Sequence, residues 1–197
     1  MMKQILIATN NKHKVEEISA LLLPLGFNVL SLADITNAPK TIEDRPTLEG
    51  NALKKAREAF QSTGILSLAD DTGLEVYYLE LAPGVFSARY AGENVSYAEN
   101  NKKLLSALRG VPQRRRGARF RTVIAIVGKE VETTVEGMIE GEILENERGT
   151  NGFGYDPLFL PKGFTRAYAE LSLEEKNQIS HRARAMQKAA EFLKKNF

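Results

Sequence analysis

Residues 67–76 read Ser67-Leu68-Ala69-Asp70-Asp71-Thr72-Gly73-Leu74-Glu75-Val76, which places two adjacent carboxylates between two apolar runs. The pattern predicts a strand, a tight acidic turn and a return strand. Neighbouring carboxylates repel each other unless a cation or a proton lies between them. Such oxygen ligands suit Mg²⁺, which proteins usually hold with one or two carboxylates together with substrate phosphates. The alternative is an Asx-turn, in which an aspartate caps its own backbone and Gly73 adopts a positive φ.

The composition restricts the class of protein. The chain has 197 residues, of which 43% are hydrophobic, and this predicts a single domain over residues 1–197. A formal net charge of +2 gives no electrostatic reason to expect a nucleic-acid or membrane partner. The lack of cysteine excludes disulfides and thiolate metal sites, and two histidines disfavour a zinc site. We find no signal-like segment and no apolar run of ~20 residues, so we expect a soluble, cytoplasmic protein.

A polar turn follows the first predicted strand. Residues 5–8 are apolar, and Thr9-Asn10-Asn11-Lys12-His13-Lys14 then lead into a helix with apolar residues at helical spacing. The backbone N–H groups at a helix N-terminus favour an anion, and Lys12 and Lys14 add positive charge. The turn is therefore a candidate phosphate site, although an asparagine N-cap with solvated lysines explains the same residues. Its spacing does not match a P-loop.

The middle of the chain carries further candidate elements. Residues 32–46 predict a loop that contains Glu43, and Thr47 predicts the start of a helix that ends at Gly64. Residues 119–127 and 131–138 alternate as in a hairpin, with a bend expected before a separate strand near residue 143. Six arginines and no acid occur in residues 109–121, but with a single aromatic residue we favour a solvated loop over a nucleic-acid site.

The last third contains a glycine-rich loop and a helix junction. The loop Gly152-Phe153-Gly154-Tyr155-Asp156 combines glycines, which let a ligand approach the backbone, with a ring that can stack on a planar group. Capping boxes at Ser96 and Ser172 predict helix starts, with Lys176 one turn into the second helix. Residues 180–182, Ser-His-Arg, interrupt that helix, and the histidine there is explained equally well as a cap.

Taken together and in this order, the motifs resemble those of the Ham1-like inosine/xanthosine triphosphate pyrophosphatase family. The matching blocks are residues 9–14, 47–52, 69–74, 83–90, 152–159, 169–176 and 179–182. They cover nearly the whole chain, and the ordered set is specific where each block alone is weak. Gly50 departs from the family pattern by replacing a glutamate, which removes one acid near the implied metal.

The resemblance implies Mg²⁺-dependent hydrolysis of non-canonical purine nucleoside triphosphates (dITP, ITP and XTP) to the monophosphate and pyrophosphate. Asp71 would be the general base for the attacking water and a metal ligand, and Glu43 would be a second metal ligand. The residues implied to bind the substrate are Thr9, Asn10, Asn11, Lys12, His13, Lys14, Thr72, Phe153, Gly154, Tyr155, Asp156, Lys176, His181 and Arg182. Among these, Lys14 would hold phosphate and Phe153 would stack on the base.

The base pocket implied by the resemblance would be lined by Asp156, His181 and Arg182. Because a guanidinium can only donate hydrogen bonds, Arg182 would suit the 6-oxo group of hypoxanthine or xanthine. Opposite the 6-amino group of adenine its donors would be buried and unpaired, which favours rejection of ATP.

The resemblance also implies an α/β fold with an elongated central mixed sheet, flanking helices and two lobes around an active-site cleft. Members of the family are homodimers, and neither a membrane nor a nucleic acid is expected as a partner. Two alternatives stay open. One is a pyrophosphatase for another modified nucleotide, and the other is a non-catalytic nucleotide- or nucleic-acid-binding protein that uses the arginines of residues 109–121.

Overall fold

The computed structural model of this chain describes residues 3–197, which form five α-helices, seven strands and short 3₁₀ turns. The helices are α1 (Lys12–Leu22), α2 (Leu48–Thr63), α3 (Tyr97–Ala107), α4 (Leu173–Ile179) and α5 (His181–Asn196). The strands are β1 (Gln4–Ile7), β2 (Asn28–Ser31), β3 (Ser67–Val76), β4 (Pro83–Gly84), β5 (Gly117–Gly128), β6 (Val131–Ile143) and β7 (Phe159–Pro161).

The strands form a mixed sheet in the order β2-β1-β3-β5-β6-β7, with β4 paired to β3. Strand β1 pairs in parallel with both β2 and β3, whereas β4 on β3 and β7 on β6 are antiparallel pairs. Helix α1 connects the parallel pair β1 and β2, and β5 and β6 form the predicted hairpin. The predicted α/β class with a central mixed sheet is confirmed.

The acidic turn predicted within residues 67–76 is wrong, because this stretch is the continuous strand β3. The Asx-turn alternative is wrong as well, since Gly73 lies inside the strand rather than at a positive φ. Successive side chains of a strand point to opposite faces, so Asp70 and Asp71 do not face each other. Each meets a lysine instead, Lys14 at Asp70 and Lys55 at Asp71, and these partners allow two carboxylates inside a buried strand.

The cap residues behave as the sequence predicts. Thr47 caps α2, its hydroxyl accepting from the backbone N–H of Gly50, and the helix ends at Gly64 with a φ of 68°. Ser96 and Ser172 form complete capping boxes at the starts of α3 and α4. These signals act over three or four residues, which is why they can be recognised without tertiary information.

Strand β6 continues to Ile143, so the predicted bend before a separate strand is wrong. The glycine at position 141 has another role, because a Cβ there would lie 2.4 Å from the carbonyl oxygen of Leu160 on β7. It permits close pairing of β6 with β7 rather than a turn.

The described chain divides into two compact units. The family resemblance implied the same number of lobes. The first unit comprises 3–71, Thr122–Gly137 and Arg182–Phe197. Its core joins strand residues such as Ile7, Leu68 and Ile126 to apolar faces of α1 and α5, including Ile18 and Met186. The apolar stripes of these helices, at i, i+3 and i+4 spacing, are buried against the sheet.

The second unit comprises Thr72–Arg121 and Met138–His181. Its core includes Leu74 of β3 and Leu104 of α3, packed with the aromatic rings of Phe120, Phe159 and Tyr168. The Phe120 and Phe159 ring centroids lie 4.7 Å apart in an edge-to-face arrangement, which is favourable for aromatic pairs. Among the helices of residues 3–197, none has the length and apolar character that crossing a membrane would require.

Gly73→Ala is expected to lower the free energy of unfolding by about 2 kcal/mol, because overpacking next to rigid backbone is costly. The added Cβ would lie 2.7 Å from the carbonyl oxygen of Gly84 on β4. Urea unfolding measures the loss, and Gly117→Ala is the matched control. At Gly117 the nearest neighbour is a ring atom of Tyr77, 3.1 Å away, in a side chain that can shift. The control should change stability by less than about 1 kcal/mol, and equal losses in both variants would contradict the explanation.

Candidate functional site

The first unit contains a buried cluster of carboxylates around the ammonium group of Lys55. From α2, Lys55 Nζ donates to Asp71 Oδ1 at 2.8 Å, to Glu43 Oε1 at 2.7 Å and to the carbonyl oxygen of Asp70 at 2.7 Å. Asn51, one turn earlier on the same helix, places its amide nitrogen 3.4 Å from Asp71 Oδ2. One face of α2 therefore fixes the carboxylate of Asp71 and brings it together with Glu43.

The loop that carries Glu43 is attached to α2. Lys54 Nζ donates to the carbonyl oxygen of Ile42 at 2.8 Å, and the hydroxyl of Thr41 donates to Glu58 at 2.5 Å. Lys54 also pairs with Asp44 at 2.9 Å. These bonds on either side of Glu43 hold its side chain beside Lys55, so a loop residue reaches the site in a defined position.

The protonation behaviour of Asp71 follows from its surroundings. Burial raises the pKa of its carboxyl above the ordinary value, and this outweighs the opposing effect of the charges of Lys55 and Lys14. The carboxylate of Glu43 raises the pKa of Asp71 further. Burial alone would lower the pKa of Lys55, but the negative charges of Asp71, Glu43 and Asp70 raise it overall, so Lys55 is a cation. A carboxylate with a raised pKa is the kind of group that serves as a general base.

A second charged network lies on the other side of β3 and includes Asp70. Lys14 Nζ lies 3.1 Å from Asp70 Oδ2, and the Arg182 guanidinium donates to the same oxygen from Nε and Nη2 at 3.2 Å each. Arg182 Nη1 donates to Glu17 of α1. The network thus connects α1, β3 and the start of α5. Its side chains are almost completely buried except that of Lys14, which is 15% exposed.

Buried charges remain ionised only when they are paired. Burial by itself would raise the pKa of Asp70, yet the charges of Lys14, Arg182 and Lys55 hold it well below the usual range. For Arg182, burial opposes the charged form, and the carboxylates of Glu17 and Asp70 raise the pKa overall. Asp70 is therefore a fixed anion with a structural role, whereas burial raises the pKa of its neighbour Asp71.

The predicted phosphate turn lies at the N-terminus of α1. Asn11 is the N-cap, and its Oδ1 accepts from the backbone N–H groups of His13 and Lys14 at 3.0 and 3.3 Å. The hydroxyl of Thr9 accepts from the N–H of Asn11 at 3.2 Å. Asn10, Lys12 and His13 are exposed. The asparagine cap is confirmed, and Lys12 is exposed as that interpretation expected. A solvated Lys14 is wrong, because its ammonium pairs with the buried Asp70 at 3.1 Å. The phosphate site stays a prediction.

In the first unit, the carboxylates of Glu43 and Asp71 form a pair of oxygen donors that fits a divalent cation. No group of three His, Cys, Asp or Glu side chains suited to a metal is found within residues 3–197. Two carboxylates, those of Glu43 and Asp71, nevertheless reach one shared cationic group, Lys55 Nζ. Mg²⁺ is commonly held by one or two protein carboxylates, with substrate phosphates and water completing the octahedron. The donor set fits an ion of this class.

The second unit places the glycine-rich loop beside a buried ion pair. Lys176 of α4 donates to Asp156 Oδ2 at 2.6 Å, and the backbone N–H of Phe153 donates to the same oxygen at 2.9 Å. The Lys176 ammonium lies 5.0 Å from the Phe153 ring centroid, within cation–π distance, and the ring of Tyr97 lies 6.0 Å away. Asp156 thus fixes both the ring that the sequence predicts to stack on a base and the lysine beside it.

Conformation restricts two glycines of this loop. Gly152 has a φ of 75°, and a Cβ there would lie 2.1 Å from Asp156 Oδ2; Gly154 has a φ of 64°. The glycines therefore allow the chain to fold over Asp156, and close approach of a ligand to Gly154 stays a prediction. Tyr155 is buried and donates from its hydroxyl to the carbonyl oxygen of Ser87 at 2.9 Å, and burial raises its pKa.

His181 lies in an aromatic stack. Its ring is 4.6 Å from the Phe120 ring with an angle of 13° between the planes, and 6.0 Å from the Tyr168 ring. It follows Ser180, where α4 ends and α5 begins, so the predicted interruption of the helix is confirmed. His181 and Tyr168, which also lies 5.5 Å from Lys176 Nζ, connect the stack to the Phe153 loop.

Some of the six arginines of residues 109–121 have partners within the protein. Arg116 is buried and donates to the carbonyl oxygens of Leu108, Val111 and Leu144. Arg119 pairs with Glu75 at 2.5 Å. The guanidinium of Arg115 lies 4.8 Å from the ring centroid of Tyr78. At least three of the six side chains therefore have structural partners, which weakens the nucleic-acid alternative.

Sequence reasoning assigned no role to Lys55 and Glu17. The signal for Lys55 was its position on the apolar face of α2, in line with Ala52 and Ala59, where a lysine requires a buried acidic partner.

Arg182, expected at the base, has its guanidinium on Asp70 and Glu17, and its contact with a base stays a prediction. Thr72 follows Asp71 in β3 and is half-buried.

Comparison with known proteins gives consistent findings. A sequence model of the Ham1 family matches residues 5–192. The chain is 51% identical over 193 residues to the dITP/XTP pyrophosphatase of Bacillus licheniformis, covering 98% of each chain. It is 48% identical over 192 residues to the dITP/XTP pyrophosphatase of Thermoanaerobacter sp. (strain X514), covering 98% of this chain and 97% of the relative. A HAM1 protein structure from Coxiella burnetii superposes with a TM-score of 0.89 at 40% identity, covering 98% of this chain and 100% of the other.

Asp70→Asn is expected to lower the free energy of unfolding by about 3 kcal/mol, because it removes the carboxylate partner of Lys14 and leaves the buried Arg182 with Glu17 alone of its two carboxylate partners in this network. The folded-state pKa of Asp70 is depressed below 3.8. Its stabilising contribution is therefore complete above that pH and declines as the pH falls further. Urea unfolding should show a constant difference between wild type and variant from neutral pH to about pH 4, and a smaller one in stronger acid.

The matched control for Asp70→Asn is Glu132→Gln, which disrupts the ion pair between Glu132 and Arg57. Both of those side chains are about half exposed, at 45% and 48%. Exposed pairs contribute at most about 1 kcal/mol, so this variant should be nearly neutral. A similar loss in the two variants would show that burial does not determine the strength of the network.

Proposed function

This chain belongs to the Ham1 family, and we propose that it hydrolyses non-canonical purine nucleoside triphosphates to the monophosphate and pyrophosphate. The substrates are dITP, ITP and XTP. Water adds across the bond between the α- and β-phosphates, so one water and one triphosphate give one monophosphate and one pyrophosphate. The observation that carries the proposal is the buried carboxylate of Asp71, which Lys55 and Asn51 hold beside Glu43. The relatives at 48–51% identity carry the activity in their names.

Asp71 is proposed as the general base. Burial raises the pKa of its carboxyl, which makes it a better proton acceptor than an exposed aspartate. Its neighbour Asp70 is unsuited to this role, since Lys14 and Arg182 hold its pKa low and occupy its Oδ2. Lys55 and Asn51 fix the position of the Asp71 carboxylate, so the base has a defined orientation before substrate binds.

A divalent metal is part of the proposal, and we assign it as Mg²⁺. Asp71 and Glu43 would hold it, because their oxygens meet at one cationic group and Mg²⁺ needs few protein carboxylates when phosphates complete its shell. When bound, the ion neutralises negative charge on the phosphates. The contribution of this chain is the pair of carboxylates and the α2 and loop contacts that hold them in place.

The phosphates are proposed to bind at the N-terminus of α1. Asn11 caps the helix, the exposed Asn10 and Lys12 lie beside the cap, and no acid occurs in the first turn to repel an anion. Lys14 adds a positive charge next to Asp70. Helix N-termini of this composition bind anions through backbone N–H groups and the helix dipole.

The base is proposed to bind in the second unit, on the ring of Phe153. Lys176 and Asp156 fix that ring, and His181 lies in the adjoining aromatic stack. A half-buried phenylalanine held by a backbone bond at 2.9 Å is a suitable surface for a planar purine. The predicted contact between Arg182 and the base is not needed for this assignment. The homodimer, the cytoplasmic location and the single domain over residues 1–197 remain predictions.

Pyrophosphate release from ITP, XTP, dITP, ATP and GTP tests the activity directly. Wild type is expected to act on the first three when Mg²⁺ is present and to stop when EDTA is added. Asp71→Asn should lower kcat by roughly 10²–10⁴-fold, the usual contribution of a positioned base. Glu132→Gln, which removes an exposed carboxylate of β6 outside the Glu43 loop, is the control and should retain activity. Release of single phosphate, or equal turnover of ATP and ITP, would refute the assignment.

Phe153→Ala tests the site of the base. Stacking of a base on an aromatic ring contributes about 1–3 kcal/mol, so kcat/KM for ITP should fall roughly 10- to 100-fold. Phe164→Ala removes another aromatic residue of the same unit, one exposed outside the glycine-rich loop, and should have little effect. Unchanged kcat/KM in Phe153→Ala would place the base elsewhere.

A further inference from the structure

Lys55 lies at the position where a cation shared by Glu43 and Asp71 would bind. Its Nζ is 2.7 Å from Glu43 Oε1, 2.8 Å from Asp71 Oδ1 and 2.7 Å from the carbonyl oxygen of Asp70. An ammonium group has three N–H donors, and these three oxygens account for all of them. Oxygen atoms are also the ligands that a hard divalent cation requires. The oxygens that accept hydrogen bonds from Lys55 are therefore also the oxygens that would bind the metal.

The two cations cannot share these oxygens without strong repulsion. The side chains of Lys55 and Asp71 are 10% and 7% exposed, so water and salt screen their charges poorly. A dication on Asp71 and Glu43 would lie close to a positive charge that has nearly the same ligands. The adjacent Lys54 differs, because its ammonium lies on the Ile42 carbonyl oxygen and on Asp44.

The carboxylates also need a cation when no metal is bound. The carboxylates of Glu43 and Asp71 both lie within 2.8 Å of Lys55 Nζ, so they are close enough to repel each other as like charges. Without a positive group between them, this repulsion inside a buried site would disfavour the folded arrangement. Lys55 provides that positive group on a rigid helix.

We infer that Lys55 is an internal counter-ion, which occupies the place of the divalent metal in the nucleotide-free protein and competes with it. The inference rests on the metal site of the proposed function and deepens it. The metal then binds weakly by itself and binds well with the triphosphate, because the added phosphate charges compensate for both cations. Metal and nucleotide therefore bind cooperatively, and each increases the affinity for the other by the same factor.

Mn²⁺ binding to the nucleotide-free full-length chain tests the inference, with electron paramagnetic resonance titration and thermal melting as readouts. Lys55→Met should bind Mn²⁺ about tenfold or more tightly than wild type, which corresponds to about 1.4 kcal/mol. Its melting temperature should also rise on addition of Mn²⁺ by more than that of wild type. Lys129→Met, at an exposed lysine in the turn between β5 and β6, carries the same change in net charge and should bind Mn²⁺ as wild type does.

Two further variants locate the effect. Glu43→Gln combined with Lys55→Met should lose the gain in affinity, because one of the two carboxylates is removed. Lys55→Gln, which retains a donor for the Asp70 carbonyl oxygen, replaces Lys55→Met if that variant does not fold without metal. Folding of Lys55→Met only in the presence of Mn²⁺ would itself support the inference.

Three results would overturn the inference. They are tight Mn²⁺ binding by wild type without nucleotide, a wild-type melting temperature that Mn²⁺ alone raises by several degrees, and equal Mn²⁺ affinity in Lys55→Met and Lys129→Met. Pyrophosphate release from ITP by wild type is measured separately. If wild type turns over ITP but Lys55→Met gains no affinity, the counter-ion role alone is wrong. If wild type releases no pyrophosphate, the proposed function fails whatever the metal titrations show.

Discussion

The first unit depends on the pairing of two adjacent buried carboxylates with different cations on the two faces of β3. Asp70 meets Lys14 and Arg182, whereas Asp71 meets Lys55. Successive side chains of a strand point to opposite faces, so the two acids are kept apart and each belongs to its own charged network. This division gives them different chemistry, since Asp70 stays a fixed anion and Asp71 has a raised pKa.

The same pairs hold the secondary structure elements of the first unit together. Arg182 at the start of α5 joins Glu17 of α1 to Asp70 of β3, and Lys55 joins α2 to Asp71 and to the loop with Glu43. Buried ion pairs are weak contributors to net stability but strong determinants of position, because the loss of one partner is costly. A site assembled from four elements thereby holds its acids in fixed positions.

The second unit also contains a buried ion pair, which positions a glycine-rich loop. The ion pair of Lys176 and Asp156 is buried, its carboxylate binds the backbone N–H of Phe153, and Gly152 lies against it. Aromatic rings surround the pair, with Tyr168 5.5 Å from Lys176 Nζ and His181 stacked on Phe120. Aromatic rings stack on a planar ligand in several orientations. A charged group among the rings can select one of these orientations.

Local patterns in the sequence determined the helix caps at Thr47, Ser96 and Ser172, the hairpin of β5 and β6, and the resemblance to a family. Each of these signals depends on residues that are close in the chain or on the order of short motifs. The tertiary structure alone decided that residues 67–76 form one strand, and that Lys55 and Arg182 pair with its acids. Arg182 and Asp70 are 112 positions apart, and Lys55 and Asp71 are 16 apart. A turn is the better local solution for two adjacent carboxylates, and only cations brought from distant elements by folding make the buried strand more stable.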